Sequence, residues 1–140
     1  MRRLLLFAMA GFWLACTGAR ADDVVAVVSA KSPITSLATH QVADIFLGKT
    51  SRFPDGTLAV PIDLHDSSPA REKFYVQLTG KSPAQMKAHW SKIVFTGRGQ
   101  PPRQAASNAE DRKAISENPN AIGYIDASQV DASVKVLALR

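Results

Sequence analysis

The sequence predicts an α/β protein in which helices flank a mixed sheet. Apolar, strand-like runs alternate along the chain with segments that carry helix start and stop signals, and this alternation favours a sheet covered by helices. The clearest strand is VVAVVS at Val24–Ser29, because a continuous β-branched run is typical of a strand buried on both faces. The clearest helix starts are Ser68-Pro69 and Ser82-Pro83, since serine caps helices and proline suits the first turn.

The N-terminal segment predicts a signal peptide over residues 1–21. Two arginines precede an apolar run over residues 4–15 that is too short to span a bilayer, and Ala-Arg-Ala at residues 19–21 fits a cleavage site. We therefore expect a periplasmic mature chain that begins at Asp22, with residues 22–140 forming one domain. The alternative is a lipoprotein anchored through Cys16, although Trp13 stands three positions before it, where a small aliphatic residue is usual.

Charge and cysteine content exclude some functions. Three of the arginines lie within residues 1–21, so the formal charge of +5 falls to +2 in the expected mature chain. This balance argues against a nucleic-acid partner. The single cysteine, Cys16, also lies in the predicted signal peptide, so the mature chain has no thiol for a disulfide or a thiolate metal site.

The next predicted helix follows the first strand. Thr39 is expected to cap it, Val42, Ile45 and Phe46 share one face, and Gly48 supplies the stop. This pattern predicts that the helix lies on the core with Phe46 buried.

Local signals also place the remaining elements. A strand is expected at residues 58–62, helices after Ser82 and after a capping box at residues 107–110, a loop at 96–103, and closing strands at 121–125 and 134–139. The proline at position 69 begins a helix that should run through Pro69–Thr79 to Gly80. The aromatic side chains on these helices are predicted to be core residues: Phe74, Tyr75, Trp90 and Phe95.

The segment DLHDSSPAREKF at residues 63–74 is the candidate binding site. A helix that starts after Ser68 leaves its first N–H groups without intrahelical partners, and with the helix dipole they form an anion site. Arg71 in the first turn and the Ser67 hydroxyl could add contacts to an oxyanion. The alternative is purely structural: Ser68 caps the helix and Arg71 lies on a solvated face.

Three stretches resemble the phosphate-binding periplasmic proteins of ABC importers. They are ITSLATHQVADIFLGKTSRFPDG at 34–56, DLHDSSPAR at 63–71 and AIGYID at 121–126. The resemblance implies one lobe of a type II periplasmic binding protein, without enzymatic activity or cofactor, that binds phosphate or a similar oxyanion for an ABC permease or another envelope protein. Asp66 and Ser68 match the family's aspartate and serine around the phosphate, and with Ser67, Ala70 and Arg71 of the same helix start they form the predicted phosphate site.

Departures from the family leave a second interpretation open. Leu64 stands where the family has an arginine, and the chain has room for only one of the family's two lobes. The alternative is therefore an envelope interaction or sensory module that kept the lobe fold and binds a protein partner. A face-to-face homodimer could supply a second surface for the ligand.

Catalytic and metal-binding motifs are weak by comparison. His40, His65 and His89 do not have metal-ligand spacing, and no nucleophile elbow is present. The sequence therefore favours a binding protein over an enzyme.

Overall fold

The computed structural model describes residues 23–140. The predicted signal peptide, its cleavage site and the alternative lipid anchor at Cys16 lie outside these residues. Among the described residues, none of the helices has the length and apolar character needed to cross a membrane.

The fold is a mixed sheet flanked by helices, as the sequence predicts. The strands are β1 (Val24–Ser29), β2 (Ser36–Leu37), β3 (Val60–Leu64), β4 (Arg103–Ala105), β5 (Ala121–Asp126), β6 (Val134–Val136) and β7 (Ala138–Leu139), and the helices are α1 (Thr39–Phe46), α2 (Pro69–Thr79), α3 (Pro83–Phe95) and α4 (Asn108–Glu117). The main sheet has the order β4-β3-β5-β1-β6, and β2 pairs with β7 separately. Strand β3 runs parallel to β4 and β5, whereas β1 runs antiparallel to β5 and β6.

Adjacent residues of the central strand β5 show how the two faces of the sheet are covered. Tyr124 stacks on Phe74 of α2 with ring centroids 3.9 Å apart, and its ring also contacts Phe46 of α1. Side chains alternate between the two faces along a strand, so a side chain at the neighbouring Gly123 would point to the other face. A Cβ there would overlap Ile115 of α4. The helices α1 and α2 therefore cover one face, and α4 covers the other.

Several predicted elements are confirmed. Strand β1 has the predicted bounds, α2 runs over the predicted Pro69–Thr79, and the buried residues of α1 are the predicted Val42, Ile45 and Phe46. Gly80 ends α2 with φ of 71°, a left-handed conformation that glycine adopts without steric cost.

The predicted strands at 58–62 and 134–139 are misplaced. The first begins two residues later, because Leu58 instead forms an isolated bridge with Arg52 and is 48 % exposed. The second splits into β6, which pairs with β1, and β7, which pairs with β2. The predicted loop at 96–103 ends in the edge strand β4.

Two predicted helix caps are also wrong in detail. The N-cap of α1 is Ala38, and Thr39 is the first helical residue, with its N–H and hydroxyl groups both donating to the carbonyl of Arg140. At α4 the Ser107 hydroxyl accepts from the Glu110 N–H, but the Glu110 carboxylate accepts from Ala106 and does not complete the box.

The predicted aromatic core is confirmed at three of four positions. Phe74, Tyr75 and Trp90 are buried. Phe95 is 92 % exposed, so its assignment to the core is wrong. It is the last residue of α3, one turn beyond the buried Trp90. An aromatic ring therefore stands in solvent at the end of α3.

Candidate functional site

The candidate site lies where the chain turns from the end of β3 into the start of α2. Ser68 is the N-cap of α2 and Pro69 follows at the first position, as predicted. The Ser68 hydroxyl makes no capping hydrogen bond, however, so the proposed side-chain cap is not formed. Its backbone carbonyl accepts from the Arg71 N–H at 3.1 Å. The hydroxyl of Ser68 is consequently not committed to the helix that it begins.

Arg71 is buried in the first turn of α2 between two carboxylates. Only 8 % of the residue is exposed, and its Nε lies 3.3 Å from Oδ1 of Asp63 while Nη1 lies 3.4 Å from Oδ1 of Asp66. Its Cζ also lies 5.1 Å from the ring centroid of Tyr75. The alternative in which Arg71 lies on a solvated face is therefore wrong. Nε has no hydrogen-bond partner, so the carboxylate contacts hold the guanidinium mainly by charge.

Asp63 is the anchor of this arrangement. It is 1 % exposed and accepts hydrogen bonds from the Tyr75 hydroxyl at 2.7 Å, from the Tyr124 hydroxyl, and from the Leu64 N–H at 2.9 Å. Both carboxylate oxygens are thus engaged, as buried charges require. The network joins β3, α2 and β5, and it fixes the position of Arg71 relative to the sheet.

Burial and charge together set the protonation of these groups. Burial raises the pKa of Asp63, and the Tyr124 hydrogen bond, the Arg71 charge and the Tyr75 hydrogen bond oppose the rise. Burial lowers the pKa of Arg71, but the nearby acidic groups, Asp63 foremost, outweigh it and raise the pKa overall. Burial, with Asp63 beside them, raises the pKa of both tyrosines. Arg71 is thus cationic, and the tyrosines are neutral donors.

The other predicted site residues have different surroundings. Asp66 is largely exposed and accepts from the Gln104 side chain at 2.8 Å, which ties β4 to the start of α2. Ser67 is exposed, and its hydroxyl lies 2.9 Å from Nδ1 of His65. The Ala70 methyl is in the core, so Ala70 offers a ligand only its backbone.

A cleft of about 740 Å³ opens beside this turn. Asp66 and Arg71 line it, whereas Ser67, Ser68 and Ala70 do not. The five predicted residues therefore share one turn of chain, but only two of them face the cleft. Helix α3 forms most of the opposite wall.

Leu64 offers no cation at this turn. The position where the resemblance leads one to expect an arginine carries a leucine that is 2 % exposed and packs in the core. A second cation reaches the cleft from α3 instead, because the exposed Lys87 also lines it.

The sequence analysis did not identify the roles of Asp63 and Tyr124 in the site. It predicted Tyr75 as a core residue but not the hydrogen bond that its hydroxyl donates to Asp63. One signal was available, because Arg71 and Tyr75 are four apart and share a helix face. A charged residue directly after an apolar strand, as Asp63 is, also requires a partner once buried. The contribution of Tyr124, 61 residues away, had no local signal.

Comparison with solved structures identifies the fold. The chain matches an ABC-type phosphate transport receptor from Vibrio cholerae (TM-score 0.66, 22 % identity, 84 % of this chain and 46 % of that one). It also matches PstS from Borrelia burgdorferi (TM-score 0.59, 18 % identity, 85 % and 47 %). A Clostridium perfringens protein crystallised with bound phosphate, and assigned to the phosphate ABC transporter substrate-binding proteins, gives a TM-score of 0.68 (21 % identity, 84 % and 45 %).

These likenesses show a shared fold. The chain spans less than half the length of each of these structures. No protein-family model and no curated protein sequence matches it.

Proposed function

We propose that this chain is an exported, periplasmic protein that binds phosphate or a similar oxyanion, as the substrate-binding component of an ABC importer does. The observation that carries the proposal is Arg71, a buried cation at the start of α2 that lines a cleft, in a fold shared with phosphate transport proteins. The protein would act by binding and presenting its ligand, without catalysis.

The proposed site lies at the N-terminus of α2. The Ala70 N–H and the helix dipole favour an anion there, whereas Pro69 has no N–H and the Arg71 N–H donates to the Ser68 carbonyl. The hydroxyls of Ser67 and Ser68 stand on the same turn as Arg71 although they do not line the cleft, and we propose them as further donors at its edge; the Ser68 hydroxyl is not used in capping. The Arg71 guanidinium supplies the charge, held in place by Asp63.

Asp66 gives the proposed site a way to distinguish between oxyanions. A carboxylate repels a fully ionised anion, but it accepts a hydrogen bond from an anion that keeps a proton. Hydrogen phosphate has such a proton at neutral pH and sulfate does not. We therefore expect the site to prefer phosphate to sulfate through Asp66.

The cleft is open, which limits affinity. Water competes for an anion in an open site, so a single copy of this chain should bind in the micromolar range or more weakly. Tighter binding would require a second surface, from a homodimer, an ABC permease or another envelope protein.

Calorimetric titration of residues 22–140 with phosphate and sulfate at low ionic strength tests the proposal. We expect Arg71→Ala to weaken phosphate binding roughly ten- to a hundredfold, because a charge-assisted contact contributes about 1.5 to 3 kcal/mol. Arg112→Ala is the matched control, since Arg112 pairs with Asp131 away from the cleft. Asp66→Asn, at an exposed position, should fold normally and reduce the preference for phosphate over sulfate.

The outcomes separate the two candidate functions. No heat from either anion in the wild-type protein would overturn the oxyanion site and favour the interaction or sensory module. That second candidate is supported by the exposed Phe95 and by Val94, which is 45 % exposed, since both line the cleft and could contact a protein. Equal phosphate affinity in wild type and Arg71→Ala would remove Arg71 from the site.

A further inference from the structure

The cleft beside Arg71 is much larger than a bare oxyanion needs. Its volume is about 740 Å³. A small inorganic oxyanion occupies only a few times the roughly 30 Å³ that a water molecule takes in the liquid. The volume falls instead within the range of about 300 to 1,000 Å³ that is typical of sites for organic ligands. Most of the cleft therefore has room for a group other than the anion itself.

The wall opposite Arg71 is apolar. Met86, Trp90 and Val94 lie four residues apart on α3, so they form a row along one face of the helix. Phe95, the next residue, also lines the cleft, and the part of α3 that lines it is about 18 Å long at 1.5 Å per residue. Met86 is fully buried beneath this wall, so the apolar surface open to a ligand is the edge of Trp90 with Val94 and Phe95.

The charged groups of the cleft favour an anion with an apolar body. Arg71 and Lys87 line it with a single carboxylate, Asp66, which already accepts a hydrogen bond from Gln104. Lys87 is exposed and makes no ion pair within residues 23–140. Arg71 is already paired with Asp63 and Asp66, so Lys87 supplies the unpaired positive charge of the cleft, beside its apolar wall.

We propose that the ligand of this cleft is an organic oxyanion, a phosphate or phosphonate that carries an apolar group. The inference rests on the oxyanion site proposed above and deepens it by naming the substrate class. The oxyanion lies against Arg71, and the apolar group lies against Trp90, Val94 and Phe95 of α3. Lys87 adds a second, solvent-exposed attraction for the charged end.

Methylphosphonate and phenylphosphonate provide the test, because they have the same charged group and differ in apolar area. We expect phenylphosphonate to bind about tenfold more tightly to residues 22–140, since partial burial of a ring in an open cleft gives a fraction of its full transfer free energy. Titration calorimetry measures both affinities. Trp90 is the sole tryptophan left once residues 1–21 are removed, so its fluorescence reports independently on ligand in the cleft.

Two surface variants locate the apolar contact. Val94→Ser and Phe95→Ser should each reduce the preference for phenylphosphonate at least threefold and leave methylphosphonate affinity unchanged. Val76→Ser is the matched control, because Val76 on α2 is 48 % exposed, like Val94 at 45 %, but does not line the cleft. None of the three side chains belongs to the buried core, so the variants should fold.

Each outcome bears on a definite claim. If phosphate and both phosphonates bind with equal affinity, the organic-ligand inference is overturned while the oxyanion site stands. A phenylphosphonate preference that survives both Val94→Ser and Phe95→Ser would also overturn the inference, because the ring would then lie elsewhere. If no oxyanion binds, the proposed function itself fails. Tighter phenylphosphonate binding, lost in the α3 variants and kept in Val76→Ser, supports the inference.

Discussion

Two aspartates are buried on opposite faces of the same sheet, and they have opposite surroundings. Asp63, at the end of β3, is 1 % exposed, with three hydrogen-bond donors and an arginine around it. Asp111, in α4, is fully buried, and neither of its carboxylate oxygens has a hydrogen-bond partner. One buried carboxylate therefore has hydrogen-bond donors to both of its oxygens, and the other has none.

The comparison shows that burial alone does not define a functional carboxylate. Burial raises the pKa of Asp111 to about 8, with further repulsion from Asp63 and Glu110, so the group is mostly neutral at pH 7. Asp63 is also buried, but its hydrogen-bond donors and the Arg71 charge stabilise the ionised form, and the ionised carboxylate has a structural role. The Asp63 carboxylate holds Arg71 at the edge of the cleft. The hydrogen-bond and charge partners of a buried acid, and not its burial, thus distinguish Asp63 of the candidate site from Asp111.

Alanine substitution at the two aspartates should have very different effects on stability. Asp63→Ala leaves Arg71 buried without its counter-charge and two tyrosine hydroxyls without an acceptor. Removing one partner of a buried ion pair costs about 3 to 5 kcal/mol, and we expect a loss of that size. Urea denaturation followed by circular dichroism measures it.

Asp111→Ala is the matched control for this experiment. It removes a buried acid of the same size that has no hydrogen-bond partner, so the lost packing is offset by relief of an unsatisfied group, which costs about 1 to 3 kcal/mol. The net change should stay within about 1 kcal/mol. Similar losses for Asp63→Ala and Asp111→Ala would contradict the assignment of Asp63 as the anchor.

The pH dependence of stability should sharpen the same contrast. The pKa of Asp111 is about 8 in the folded state and 3.8 in the reference state, so the folded chain retains a proton that the unfolded chain releases. The resulting stabilisation is complete below pH 4 and is lost as pH rises to about 8. We expect the unfolding free energy to fall over this range, by up to about 1.4 kcal/mol for each pH unit.

Asp111→Asn isolates this effect, because asparagine has a similar shape and does not ionise. Its unfolding free energy, measured in urea from pH 4 to pH 8, should decline less than that of the wild type. Asp63 also has a raised pKa and contributes in the same direction, so some decline will remain. Identical pH profiles for the two proteins would show that Asp111 does not titrate in this range.

Local signals predicted the helices well and the small strands poorly. The bounds of α2 follow from Ser68-Pro69 and Gly80, residues that act within a turn of themselves. Strands β2, β4 and β7 have two or three residues each and exist through pairing with distant segments. A sequence of two or three residues does not specify which strand it will pair with, so these strands could be identified only from the tertiary structure.

The candidate site was predictable to a similar degree. Arg71 stands out in the sequence because it follows a helix start signal. The hydrogen-bond network around Arg71 was not predictable. Tyr124 is 61 residues from Asp63 in the sequence, and the sequence gives no sign that the Tyr124 hydroxyl has a polar partner. Long-range hydrogen bonds of this kind depend on how β3 and β5 lie in the sheet. Local sequence signals therefore predicted where the candidate site lies, but they did not predict the hydrogen bonds that hold Arg71 in place.

The two serines that begin α2 and α3 give the smallest expected effect, and they test whether the Ser68 hydroxyl is available to a ligand. Ser82 accepts a hydrogen bond from the Gln85 N–H and caps α3, whereas Ser68 makes no such bond at α2. Ser82→Ala should therefore lower the unfolding free energy by about 1 kcal/mol, and Ser68→Ala by only a few tenths. Thermal and urea denaturation of both variants measure the difference. A loss at Ser68→Ala as large as that at Ser82→Ala would mean that its hydroxyl caps α2 in solution and is not a free donor for an oxyanion.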